Sequence, residues 1–160
     1  MSTATILIVD DDATLLESLG RALGRTYRVL LAESGADALQ LLEQEPVDVV
    51  VSDHHMPGMT GAQLLQQVAT RREGTVRILS SAQPDLAMAI KAINQGDVFR
   101  ILVKPVELAE LQVAVHLAVE KLQLEREHRA LRSLVAAHPE LEPELEQRRS
   151  ALWPSKGATP

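Results

Sequence analysis

The sequence predicts an α/β fold: a five-stranded parallel sheet with helices on both faces. Short runs rich in Val, Ile and Leu recur along the chain, and apolar residues at helical spacing fill the intervals between them. That alternation implies parallel strands joined by right-handed crossovers. Four of the five runs also end in polar or charged residues, at the sheet edge where open α/β folds bind ligands.

Thr5–Val9 reads as the first strand, and Ala13–Leu23 follows as a helix with Leu15, Leu16, Leu19 and Leu23 on one face. Tyr27–Leu31 is the second strand, after which Ser34 caps a helix carrying Ala38, Leu41 and Leu42. Val47–Val51 is almost uniformly β-branched, as expected of a strand buried on both faces. HHMPGMTG forms a loop, and Thr60 opens a helix through Leu64, Leu65 and Val68. Val76–Ser80 and Val98–Val103 are the last two strands, separated by a helix over Asp85–Asn94.

From Glu107 a helical pattern runs to about Ala137, roughly 45 Å if unbroken. Its first part, with Leu108, Leu111, Val115 and Leu122, is expected to pack on the sheet. Leu117, Leu124 and Leu131 then repeat every seven residues, with Ala114, Lys121, His128 and Val135 in the companion positions. This predicts a short parallel dimeric coiled coil in which Lys121 and His128 set register. The alternative is a single helix folded back at His138-Pro139. Glu140–Leu152 suits a second short helix, with Pro143 in its first turn. The resulting organisation is a domain over 1–120, a helical extension over 121–152 and a disordered tail over 153–160.

Composition narrows the function. Apolar residues make up 46% of the 160, but Tyr27, Phe99 and Trp153 are the only aromatics, so the core must be aliphatic. With no cysteine there is no disulfide, thiolate metal site or cysteine nucleophile. MSTATILIVDDD lacks the basic flank and cleavage site of a signal peptide, and no run reaches membrane-spanning length. A cytoplasmic protein without membrane contact is expected. The net charge of −6 argues against direct nucleic-acid binding.

The strand ends carry Asp10-Asp11-Asp12, Ser52-Asp53, Ser80-Ser81 and Lys104-Pro105; the second ends in Ala32-Glu33. Clustered carboxylates repel one another unless a cation neutralises them. Oxygen ligands without His or Cys at metal spacing favour Mg²⁺. Magnesium beside a carboxylate can orient a phosphoryl group for attack, Lys104 can neutralise a phosphoryl oxygen, and a serine can bond another. The cluster therefore reads as half of an Mg²⁺-dependent aspartyl-phosphate site, with Asp12 as a helix cap. A zinc site at His54 and His55 has little support, because adjacent side chains on a loop diverge and no third ligand is near.

Two families use such chemistry. Ile6 to Thr14 resembles the first motif of haloacid-dehalogenase-type phosphatases, which would make Asp10 the nucleophile and Asp12 the general acid/base. That resemblance spans nine residues and finds only Glu107 and Glu110 where further metal carboxylates are needed. The second spans residues 4 to about 115. ILIVDDD, VVVSDHHMPGMTG, ILSS and VKP, in that order, resemble the receiver domain of two-component response regulators, a doubly wound five-stranded α/β fold.

The receiver resemblance implies that Asp53 accepts a phosphoryl group from a sensor histidine kinase or phosphotransfer protein. It implies that Asp11, Asp10, Asp53 and the backbone carbonyl of His55 hold Mg²⁺, directly or through water. Lys104 would pair with the phosphoryl group and Ser81 would swing toward it. The family's aromatic switch position is Ile101 here, and Phe99 is the nearest substitute if it shares that strand face. GDVFRILVKPVELAEL is similar to receivers that feed long helices into output modules, including HD-GYP cyclic-di-GMP phosphodiesterases. Two outputs follow: an adaptor signalling through a helical dimer, or the regulatory front of a longer enzyme. Catalysis beyond self-phosphorylation and slow hydrolysis is not expected.

Overall fold

The computed structural model describes residues 3–82 and 98–152. The helix expected over Asp85–Asn94 and the tail from 153 lie outside the described residues. Five strands form one parallel sheet: β1 (Thr5–Val9), β2 (Arg28–Ala32), β3 (Val49–Asp53), β4 (Val76–Ser81) and β5 (Arg100–Val103). The order is β2-β1-β3-β4-β5, so the direction of winding reverses between β1 and β3. The crevice at that reversal is where the carboxyl ends of β1 and β3 deliver Asp10 and Asp53.

The helices are α1 (Ala13–Leu23), α2 (Gly35–Gln44), α3 (Gly61–Arg71), α4 (Leu108–Ala137) and α5 (Glu142–Leu152), with a 3₁₀ turn at Pro139–Leu141. Asp12 caps α1 by accepting from the Thr14 and Leu15 amides, and Ser34 caps α2. Among the described residues no helix is long and apolar enough to cross a membrane.

Alternation along each strand splits the core into two layers. Ile6, Ile8, Val49, Val51, Val76, Ile78 and Leu102 face α1 and the first half of α4. Leu7, Val9, Val50 and Leu79 face α2 and α3. Both layers are aliphatic, as the aromatic count requires. Leu111, Ala114, Val115, Ala118, Val119 and Leu122 form the buried stripe of α4 at helical spacing. Two expectations fail on this helix. Leu108 is 44% exposed rather than packed, and Ala114 is fully buried and unavailable to a dimer seam.

The chain divides into compact units at 1–122 and 123–160. In the second, Leu124, Leu131 and Leu134 are exposed. The short helix there is held by local pairs such as Arg148–Glu144 and Arg149–Glu146.

Four strands differ from the sequence reading in their bounds: β4 runs one residue further, to Ser81, and β2, β3 and β5 shift as follows. Tyr27 donates its amide to Leu23, closing α1, so β2 starts at Arg28. Asp48 is held beside the sheet, its carboxylate accepting from the Thr5 amide at 2.7 Å, and Val47 accepts the Thr75 hydroxyl. The third ladder therefore begins at Val49 and extends through Asp53, which pairs with Ser80. Phe99 sits in a bend before β5, outside the strand.

Candidate functional site

Asp10 follows β1 directly, 5% exposed, and its Oδ1 accepts the Asp12 amide at 2.9 Å. Asp53 is the last residue of β3, also 5% exposed. Lys104 follows β5, its amide bonded to the Ser81 carbonyl at 2.9 Å. Its Nζ lies 3.0 Å from Asp10 Oδ2 and 3.1 Å from Asp53 Oδ1. Both contacts are ion pairs, and the first is also a hydrogen bond. Burial pulls the Lys104 ammonium down, but bonding and charge from Asp10 and Asp53 outweigh it and hold its pKa above the ordinary lysine value.

Asp10, Asp11 and Asp53 each offer a carboxylate oxygen, and these atoms lie within 4.8 Å of one another. Three hard oxygen donors and no soft ligand fit Mg²⁺, and one lysine cannot balance three carboxylates. Asp11 is exposed, leaving the cluster open to water and incoming ligands. A cavity of about 440 Å³ opens here, its polar lining supplied by Asp10, Asp53, Ser80 and Lys104.

The loop after β3 is anchored on both sides. Met56 is buried in the α2–α3 layer, and Gly58 makes the turn at φ +81°. Thr60 and Gln63 form a reciprocal cap at the start of α3. Gly61 then packs so close that a Cβ would lie 2.1 Å from the Asp53 carbonyl oxygen. The same carbonyl accepts the Ser52 hydroxyl at 2.9 Å. Backbone on either side of the acidic side chain is thus fixed.

His54 and His55 do not diverge as expected; their rings meet edge to face with centroids 4.8 Å apart. Burial and then the neighbouring His55 lower the His54 pKa, against a smaller opposing pull from Asp53. Among the described residues the acidic trio is the candidate metal group, and it includes neither histidine. His55 is an exposed residue two positions past Asp53.

Ser81 is fully buried, and its Oγ has no hydrogen-bond partner among the described residues. Ile101 packs in the α2–α3 layer. Phe99 is 36% exposed with the Lys121 ammonium 6.0 Å from its ring centroid. Because Phe99 precedes the strand, alternation does not place it on the Ile101 face. Sequence reasoning missed the roles of Ser52 and Gly61 as supports of the Asp53 carbonyl. Ser80, named in the sequence only as part of a strand end, lies in the cavity wall as the register partner of Asp53.

The family model for the response regulator receiver domain matches residues 6–116. The chain belongs to this family. Its members are phosphorylated on an aspartate in two-component signalling and interact with sensor histidine kinases or phosphotransfer proteins. The chain is 37% identical over 147 residues to the transcriptional regulatory protein GlrR of Escherichia coli (strain K12), covering 91% of this chain and 33% of that protein. It is 35% identical over 130 residues to the DNA-binding transcriptional regulator NtrC of the same strain, covering 81% of this chain and 28% of NtrC. It therefore spans about a third of the length of these curated relatives. The crystal structure of the receiver domain of an HD domain-containing protein from Pseudomonas fluorescens Pf-5 superposes with a TM-score of 0.71 at 36% identity, covering 76% of this chain and 98% of that one.

The receiver assignment displaces the phosphatase reading, and the geometry agrees. Asp12 caps α1 with its carboxylate, and Asp10 is engaged by Lys104 and the Asp12 amide.

Proposed function

We propose that this receiver takes a phosphoryl group onto Asp53, assisted by Mg²⁺, and signals from the cytoplasm through α4. The observation that carries the assignment is the Lys104 ammonium seated between Asp10 and Asp53 at the sheet's reversal point. An Asp53 carboxylate oxygen attacks phosphorus of a phosphohistidine. A P–O bond forms, the P–N bond breaks, and the electron pair returns to the departing imidazole, which takes up a proton. Lys104 moves its charge from carboxylate to phosphoryl oxygen as the new bond removes negative charge from Asp53. Asp10, Asp11, Asp53 and the His55 carbonyl would hold Mg²⁺, which when bound supplies shielding between nucleophile and incoming phosphate.

Ser81 and Ile101 carry the conformational response, and Phe99, outside the strand, does not stand in for Ile101. A buried hydroxyl with no partner among the described residues is poised to gain a bond when its surroundings move. Incubation with acetyl phosphate and Mg²⁺, read by intact mass, should add one phosphoryl group. Asp53→Asn should abolish the gain and chelation should reduce it strongly, whereas Asp10→Asn should slow it. A label that persists in Asp53→Asn overturns the assignment.

For output, we favour pairing of α4 with a second copy over Leu124 to Val135. Leu124 and Leu131 are exposed at heptad spacing, and Glu127 on one helix would face Arg132 on the other in a parallel pair. Loss of Ala114 to the core shortens the seam, so modest affinity follows. Leu124→Glu with Leu131→Glu should convert a dimer to a monomer in light scattering while leaving phosphorylation unchanged. A parent monomeric before and after phosphorylation would sink the pairing. The similarity to GlrR and NtrC supports a second output, transcriptional control by a longer protein.

A further inference from the structure

Met59 stands in the loop between β3 and α3, half-buried against the α2–α3 layer. Its side chain ties three elements together. A Cβ built on Gly35, the first residue of α2, would lie 2.9 Å from Met59 Sδ, 3.1 Å from its Cβ and 3.2 Å from its Cγ, so the thioether rests directly on the Gly35 backbone. From α3, the Gln67 side-chain amide donates to Sδ at 3.7 Å. Two residues further on, Gly61 packs against the Asp53 carbonyl oxygen, and its amide bonds the His54 carbonyl at 3.0 Å. A displacement of Met59 therefore reaches the end of β3 through Thr60 and Gly61.

The chain has no cysteine, so reversible oxidation by a mild oxidant falls to methionine sulfur. Of the two methionines in this loop, Met56 is 7% exposed and Met59 is the more open. Met1 and Met88 lie outside the described residues. Oxidation would turn the flexible apolar side chain of Met59 into a polar, branched one. Against Gly35 there is no room for an added oxygen, and the aliphatic layer beneath offers it no donor. Gln67 does: a thioether is a weak acceptor, whereas a sulfoxide oxygen is a strong one. The oxidised side chain must turn off Gly35, and the loop that carries the His55 carbonyl turns with it.

We propose that Met59 is an oxidation site through which hydrogen peroxide slows phosphorylation of the receiver. The sulfur attacks one peroxide oxygen, an S–O bond forms, the O–O bond breaks, and the departing hydroxide takes the proton of the transferred hydroxyl and leaves as water. Sulfur loses two electrons and the peroxide gains them. The inference rests on Asp53 being the acceptor, since its labelling is what oxidation would slow.

The test treats the whole chain with hydrogen peroxide, locates sulfoxide by peptide mapping, and follows labelling by acetyl phosphate and Mg²⁺ through intact mass. Parent, Met59→Leu and Met56→Leu are compared before and after treatment, with Asp53→Asn as the acceptor control. Met59 should convert before Met56, and the treated parent should label about tenfold more slowly, the scale of one polar group forced against an apolar contact. Methionine sulfoxide reductase should restore the rate, which damage to the fold would not allow. Leucine keeps the volume and cannot be oxidised, so Met59→Leu should label like the parent and resist peroxide, while Met56→Leu stays sensitive. Full conversion of Met59 with an unchanged labelling rate would overturn the proposal and leave Asp53 as acceptor. So would an equal loss of labelling in treated Met59→Leu. A label that persists in untreated Asp53→Asn removes the acceptor assignment, and this inference with it.

Discussion

Gly61→Ala should cost about 2–4 kcal/mol of stability and slow Asp53 labelling at least tenfold, a large effect for one added methyl group. Gly61 needs no unusual backbone angle; Gly58 is the described glycine with positive φ. The constraint is contact. A Cβ at 61 would lie 2.1 Å from the Asp53 oxygen, 2.8 Å from its carbonyl carbon and 2.9 Å from the His54 Cα. All three are backbone atoms, so no rotamer change relieves the clash. The Asp53 carbonyl is also held by Ser52, and the Gly61 amide bonds the His54 carbonyl at 3.0 Å. Relief must come from moving β3 or the first turn of α3, and either displaces the acceptor carboxylate from Lys104. Gly74 is the control, since a Cβ there meets nothing within 4 Å. Denaturant melts of Gly74→Ala should match the parent within about 0.5 kcal/mol. If Gly61→Ala melts with Gly74→Ala and labels at the parental rate, the close approach does not position Asp53.

The sheet was legible because its strands are unbroken aliphatic runs, and the site because parallel sheets gather chemistry at their carboxyl ends. What the sequence hid was decided by backbone hydrogen bonds. Val47 looks as strand-like as Val49, yet the first paired residue is Val49, and Asp48 meets Thr5 through its carboxylate as well as its backbone amide. That two-residue displacement puts Asp53 inside the strand and Ser80 beside it. In α4 the heptad spacing of Ala114 with Leu117 overlaps the helical stripe through Leu111, Val115 and Leu122, since periods of 3.5 and 3.6 separate only over many turns. Burial then assigns Ala114 to the sheet. Phe99 was read into a strand that starts one residue later.

Lys104→Met should be the most destabilising change at the site when divalent cations are absent. Two carboxylates, each 5% exposed, lean on one ammonium, and methionine keeps most of its length while removing its charge. Removing one partner of a buried ion pair costs about 3–5 kcal/mol. The Lys104 side chain is 28% exposed, so water screens part of the loss and about 2–3 kcal/mol is expected. The sign with pH is fixed by the raised lysine pKa. Its contribution is fully present below the ordinary lysine value and fades only as pH rises through the folded one. The gap between parent and variant in chelator should therefore stay constant from about pH 7 to about pH 9. Millimolar Mg²⁺ should narrow it, because a cation bound by the acidic trio replaces the charge that methionine lacks, so the variant gains more from the metal than the parent does. Adding Asp53→Asn to Lys104→Met should recover part of the lost stability in chelator, since one of the orphaned charges is gone. Equal melting of parent and Lys104→Met in chelator, with equal stabilisation by Mg²⁺, would mean that the carboxylates are relaxed by solvent and that Lys104 acts on the phosphoryl group alone.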